Sequence, residues 1–192
     1  MRIIAGDMKG RKLRPVRGKM IRPTSDRLRE SVFNILGDRV VDAVVLDLFA
    51  GTGALGIEAL SRGARCAVFV DRFREALSAV ADNLRHCEME ARSRVIRWNI
   101  MRGLSCIRDH QPRFTLVFMD PPYQRNLVQP ALAHLVESRS LSPESRIIVE
   151  HSVGEPSPEF PGPLVLADQR RYGKSLVSFY NCGMEGFQKG KE

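Results

Sequence analysis

Short apolar runs alternate with segments of helical period along most of this chain, and the alternation predicts its architecture. Leu28, Val32, Ile35 and Leu36 recur at helical spacing behind Thr24 and Ser25, either of which can cap a helix, and Gly37 supplies a stop. Residues 44–48 then read as a strand and 54–61 as a helix ended by Gly63. A strand at 66–70, a helix at 73–87 and a strand at 94–98 follow, and the alternation repeats at 115–119, 127–136 and 146–150. Strands and helices of these lengths in alternation indicate βαβ units and a parallel sheet covered on both faces. A proline-rich stretch at 155–163 breaks the pattern. Residues 164–167 and 175–180 then read as a terminal β-hairpin, with Tyr172-Gly173-Lys174 near its turn.

A chain of 192 residues is long enough for one domain with a real core, so residues 1–182 are expected to form it, with 183–192 as a flexible tail. No apolar run approaches the roughly 20 residues of a membrane span, and Met1-Arg2-Ile3-Ile4 does not open a signal peptide. Cys66, Cys87, Cys106 and Cys182 lack metal-ligand spacing, which predicts reduced thiols, a cytoplasmic protein and no metal site. Charge changes the picture more. Residues 1–39 carry eleven Lys and Arg against four acids, so they hold seven of the whole-chain net of +8. A solvated basic tail is the plain alternative. The glycines in the stretch (Gly6, Gly10, Gly18) and the capped helix that ends it fit a shaped, phosphate-gripping surface better. Lys9, Arg11, Lys12, Arg14, Arg22 and Arg27 are its candidate phosphate contacts.

Directly after the first strand, Gly51-Thr52-Gly53-Ala54-Leu55-Gly56 fits G-x-G-x-x-G, and Asp71 ends the next strand 20 residues after Gly51. The same spacing marks dinucleotide sites. Asp47 separates the two readings, because a carboxylate at this strand end would repel a pyrophosphate. It would attract the ammonium and sulfonium of S-adenosylmethionine, which carries no phosphate. Asp71 can accept both ribose hydroxyls, or cap the following helix, and the two roles are compatible. Asn99, with Ile100 beside it, suits an adenine contact and an ordinary turn equally well.

The run Phe114-Thr115-Leu116-Val117-Phe118-Met119 reads as a buried strand and leads into Asp120-Pro121-Pro122-Tyr123. Two prolines remove N–H donors and force extended geometry on the residues before them, so the strand must end in a stiff turn. The turn carries an acid at its root and an aromatic ring at its tip. Asp120 and the Pro121 carbonyl can accept the two hydrogens of an exocyclic base amine. The nitrogen then pyramidalises and aims its lone pair at a methyl carbon, while Tyr123 stacks on the base. His86, His110, His134 and His151 have no triad partners in the sequence and are expected to be surface or core residues.

These motifs resemble the amino-methylating class I S-adenosylmethionine-dependent methyltransferases. More narrowly, the chain resembles the RsmD-type enzymes, which methylate guanine N2 in small-subunit (16S) ribosomal RNA. The match runs through Met1-Arg-Ile-Ile-Ala-Gly, Gly10-Arg-Lys-Leu, the block from Arg22-Pro-Thr to Asn34 and the block from Asp47 to Ala64. It continues through Phe69-Val-Asp, Asp120-Pro-Pro-Tyr, Val149-Glu and Tyr172-Gly-Lys-Ser. The resemblance implies a seven-stranded, Rossmann-like α/β sheet, mostly parallel with its last strand antiparallel and with helices on both faces. It implies that Asp47, Phe49, Gly51 and Gly53 hold the cofactor's methionine end, Asp71 its ribose, and Asp120 to Tyr123 the target guanine. The basic amino-terminal segment would engage ribosomal RNA, in the assembled 30S subunit, with no obligate protein partner. Asp71 stands where relatives often carry Glu, and Arg72-Phe73-Arg74 lacks a second acid that some carry. A DNA adenine-N6 methyltransferase is the nearest alternative, although 192 residues leave little room for a target-recognition insertion. Asp47 and the Asp-Pro-Pro-Tyr turn argue against a dinucleotide-dependent oxidoreductase.

Overall fold

The structure, a computed structural model, describes residues 1–16, 26–123, 125–155 and 162–183. The expected cap at Thr24 or Ser25, the candidate Arg22 and tail residues 184–192 lie outside the described residues. Two compact units are present, Met1–Asn99 and Ile100–Glu192.

In the first unit, helix α1 (Asp26–Leu36) buries Leu28, Val32, Phe33 and Leu36. Ile35, on the same helical spacing, is 38% exposed. The buried face is rotated towards Arg29 and Phe33, which leaves Ile35 on its rim. Gly37 (φ 52°) ends the helix as expected and opens one 3-10 turn. Strand β1 (Val44–Leu48), α2 (Ala54–Ser61), β2 (Cys66–Asp71), α3 (Arg74–His86) and β3 (Ser93–Arg97) follow, each within one or two residues of its predicted bounds. β1 pairs in parallel with β2, from Val44↔Cys66 to Leu48↔Val70, and β2 with β3, from Ala67↔Ser93 to Asp71↔Arg97. The order is therefore β3-β2-β1. All five β1 side chains are buried, as a strand covered on both faces requires.

The amino-terminal segment packs against this unit. Arg2 and Lys12 form an antiparallel bridge, and Ile3, Leu13 and Val16 are buried. The buried carboxylate of Glu58 on α2 accepts the N–H groups of Ile4 and Ala5, at 2.8 and 3.0 Å. Gly6 (φ 81°) lies so close to α2 that a Cβ there would stand 1.8 Å from the Ser61 carbonyl oxygen. A solvated tail makes no such contacts.

In the second unit, β4 (Phe114–Met119), α4 (Val128–Glu137), β5 (Leu141–Ser152), β6 (Leu164–Tyr172) and β7 (Ser175–Cys182) follow in chain order. β4 and β5 are parallel, whereas β7 runs antiparallel to both β5 and β6, giving β4-β5-β7-β6. The expected hairpin is present, and Gly173 (φ 61°) supplies the positive φ that its two-residue turn demands. β5 starts five residues earlier than expected, because Pro143 and Glu144 (φ 65°) interrupt the apolar pattern without ending the strand. Seven strands thus make the expected mostly parallel sheet with an antiparallel last strand. No helix among the described residues is long and apolar enough to cross a membrane.

Candidate active site

β1 delivers Asp47 and Leu48 to a tight turn. Phe49 (φ 59°), Gly51 (φ 56°) and Gly53 (φ 77°) are all left-handed there, and Gly53 begins α2. Glycine is needed at Gly53 and Gly56 because a side chain there would meet packed neighbours. A Cβ on Gly53 would press on Ile57, Phe69 and Val80 at 3.2–3.3 Å, and one on Gly56 would overlap the Phe69 ring at 2.4 Å. Gly56 thus lets α2 sit directly on β2. A Cβ on Gly51 would meet only the Phe49 carbonyl oxygen, at 3.9 Å. The turn is consequently packed on its protein side at Gly53 and Gly56 and open at Gly51.

Both predicted acids hold this turn. Asp47 is 2% exposed, and its Oδ2 accepts the Gly56 N–H at 2.9 Å. Burial, opposed by that hydrogen bond and reinforced by Asp71, pushes its carboxyl up to about 8. Asp71 accepts the Gly51 N–H through Oδ2 (3.0 Å) and the Phe73 N–H through Oδ1 (2.9 Å). It therefore joins the glycine turn to Phe73, the residue from which α3 starts; the helix has no side-chain cap, so Asp71 is not the N-cap considered for it. Each carboxylate oxygen has a second acceptor site, so these bonds leave room for ribose hydroxyls. Asn99 is half-buried, and Ile100 is 3% exposed, its carbonyl meeting His134 Nδ1 at 2.9 Å.

Asn83 on α3 escaped the sequence reading. Fully buried, it accepts the Arg14 N–H through Oδ1 (2.7 Å) and donates to the carbonyls of Arg14 (3.1 Å) and Thr52 (3.0 Å). The basic segment and the glycine turn are thereby tied to one side chain. Only its polarity within an apolar helix face could have signalled this.

The basic candidates divide by environment. Lys9, Lys12, Arg14 and Arg27 are exposed. Arg11 is half-buried; its guanidinium donates to the His86 carbonyl at the end of α3 and pairs with Glu88 at 3.8 Å. Arg29, counted in the basic excess, faces inward instead, 0% exposed and paired with Asp26 at 2.9 Å.

In the second unit the chain leaves β4 at Asp120, as the prolines require. Asp120 is half-buried, Pro121 buried, Pro122 exposed and Tyr123 half-buried. The Tyr123 hydroxyl donates to Glu150 Oε1 at 2.6 Å and lies 2.7 Å from Ser175 Oγ. Burial and the neighbouring carboxylate hold the phenol protonated, well above the ordinary tyrosine range. His151 is buried against Ser178, and His110 stacks on Phe114, so both serve packing. The four cysteines are free, and the described residues contain no group of three or more His, Cys, Asp or Glu that could hold a metal ion.

Solved structures share this architecture. YhhF from Escherichia coli aligns at a TM-score of 0.83 and 36% identity, covering 95% of this chain and 98% of that one. The fold is that of the class I methyltransferases. Within that class the chain belongs to the family described as Conserved hypothetical protein 95, which it matches over residues 1–181. YlbH of Bacillus subtilis (strain 168) is 38% identical over 94% of this chain and 98% of its own length. Ribosomal RNA small subunit methyltransferase D of Escherichia coli (strain K12) is 35% identical over 97% of this chain and 92% of its own.

Proposed function

We propose that this protein transfers the methyl group of S-adenosylmethionine to the N2 amine of a guanine in small-subunit ribosomal RNA, within the assembled subunit. Methyl transfer to RNA rests on family membership and on a full-length relative named as a small-subunit ribosomal RNA methyltransferase. The observation that carries the cofactor is the acid pair on the glycine turn, Asp47 beneath it and Asp71 bonded to Gly51. A cationic ligand there would be favoured by the Asp71 carboxylate and by ionisation of Asp47, which burial keeps protonated at neutral pH until a positive charge lies beside it. Bound there, S-adenosylmethionine supplies an electrophilic methyl group on a sulfonium. Asp47, Phe49, Gly51 and Gly53 would hold its methionine end, Asp71 its ribose, and Asn99 with Ile100 its adenine. No metal is required.

The protein's own contribution is orientation and charge placement. Asp120 and the Pro121 carbonyl accept the two amine hydrogens, and Tyr123 stacks on the base, turned out of its RNA helix. Once the nitrogen is alkylated its proton is acidic, so Asp120 can take it without a histidine base. Lys9, Lys12, Arg14 and Arg27 contact RNA phosphates, with Arg11 and Arg22 as further candidates. In this reading both units act as one cytoplasmic methyltransferase domain, in keeping with a single family match across residues 1–181.

The test is transfer of tritiated methyl groups to unmodified small subunits, naked 16S RNA and DNA, followed by nucleoside analysis. N2-methylguanosine from subunits is the expected product. N6-methyladenine in DNA, or no transfer to any RNA, would overturn the assignment.

A further inference from the structure

The Tyr123 hydroxyl has a role that base stacking does not require. Stacking uses the ring face, which phenylalanine also presents. Yet this phenol is built into a three-residue chain. It has one proton and gives it to Glu150 Oε1 at 2.6 Å, so the 2.7 Å contact with Ser175 Oγ is made by the serine proton. Both partners are buried, Glu150 at 8% and Ser175 at 4% exposed, and they come from adjacent antiparallel strands. Glu150 faces Val177 across β5 and β7, and Ser175 faces Ser152, one pleat further along. Two motifs with no role in the sequence reading, Val149-Glu150 and Tyr172-Gly-Lys-Ser175, thus end at one atom of a third.

Burying a carboxylate is costly unless hydrogen bonds compensate it. A packed strand pair is also the most rigid place from which to hold a side chain that leaves the sheet on a turn. We infer that Glu150 and Ser175 are positioning residues, which fix the plane of the Tyr123 ring so that the stacked base presents its amine to Asp120 and the Pro121 carbonyl. The inference rests on the proposed stacking role of Tyr123. It assigns the hydroxyl to the sheet, not to the RNA. A base stacked on a loosely held ring still binds, but its amine spends less time aligned for attack, so the loss falls on turnover more than on affinity.

The experiment is single-turnover methyl transfer with saturating unmodified small subunits and S-adenosylmethionine, together with KM values and thermal melting for each variant. Tyr123→Phe and Glu150→Ala should each slow the methyl-transfer step roughly 10-fold, as loss of a hydrogen bond to a charged group implies. Cofactor KM should stay unchanged. Glu150→Gln, which keeps a carbonyl acceptor, should retain most of the rate, and Ser175→Ala should fall between. In the Tyr123→Phe background, Glu150→Ala should add almost nothing, because its effect travels through the missing hydroxyl. Multiplying effects in that double variant, or a Tyr123→Phe rate within about twofold of wild type, would overturn the positioning role while leaving stacking intact. Tyr123→Ala separates the two ideas: a near-normal rate in that variant would remove the stacking reading itself.

Discussion

The Asn83 carboxamide holds the backbone of Arg14 at both its N–H and its carbonyl, at 2.7 and 3.1 Å, and reaches the Thr52 carbonyl with its remaining N–H. The segment proposed to grip RNA and the turn proposed to hold the cofactor therefore share one anchor. Asn83→Ala should destabilise the protein by roughly 1 kcal/mol or more, since it leaves three part-buried backbone groups without their partner. It should also weaken cofactor and RNA binding together. Thermal melting, calorimetry with S-adenosylhomocysteine and subunit binding check the three effects. Weakening of one ligand alone would show that the anchor does not couple them.

The Arg14 side chain takes no part in that anchor, and those of Lys9 and Lys12 are exposed. Changing Lys9, Arg11, Lys12 and Arg14 together to Ala should leave cofactor affinity near wild type. Subunit binding should weaken and its salt dependence flatten, because fewer condensed counterions are released. Of the four, Arg11 should matter least for RNA, its guanidinium already meeting the His86 carbonyl and Glu88. Titrations at several salt concentrations give the slope, and a wild-type slope in the quadruple variant would reject this segment as the RNA contact.

Asp47 makes both stability and cofactor binding depend on pH. Its folded-state value of about 8 lies far above the model-peptide value of 3.8, so between those limits the folded protein binds a proton that the unfolded chain does not. That contribution to stability is complete below the lower value and is lost as pH rises through the upper one. The melting temperature should therefore fall from pH 6 to pH 9. Asp47→Asn, which keeps an oxygen for the Gly56 N–H, should flatten that fall and bind S-adenosylmethionine less well. Cationic cofactor should also lower the Asp47 value and release a proton on binding. Calorimetry in buffers of different ionisation enthalpy reads this directly.

Asp120→Ala should lower turnover by orders of magnitude with cofactor affinity nearly unchanged, the signature of an interaction made in the transition state. Near-normal turnover would remove the amine clamp.

Gly56→Ala tests the packing beneath the glycine turn. The added methyl would lie 2.4 Å from Phe69 Cε1 and 3.1 Å from Asp47 Oδ2, so strand and helix must separate. A loss of about 1–3 kcal/mol is expected, with weaker cofactor binding because Asp47 and the turn move together. An unchanged denaturation midpoint would show that α2 can shift freely.

Much of the first unit could be read from its residues alone. β1 and α2 fall on their predicted bounds because an apolar run and a glycine turn are local signals that act within a few residues. The Asp120 turn is equally local, since the two prolines forbid anything else. Ile35 shares the apolar spacing yet is exposed, because the spacing defines a stripe, while the face that becomes buried depends on what packs against it, here with Arg29 and Phe33 inside. The early start of β5 was hidden by Pro143 and Glu144, which look like a break and become part of a strand only because β4 pairs there, at Phe114↔Leu141.

Sequence by itself determined the class of chemistry, because residue types at fixed short spacing set it: acids beside a glycine turn, and an acid before two prolines and a ring. Tertiary structure decided how those residues are held. Asn83 joining Arg14 to Thr52, Glu58 seating Ile4 and Ala5, and Glu150 with Ser175 holding Tyr123 are all pairings across at least 27 positions of chain. Such pairings arise only when strands and helices pack, and no local pattern of polarity encodes which distant partner a buried polar group will find.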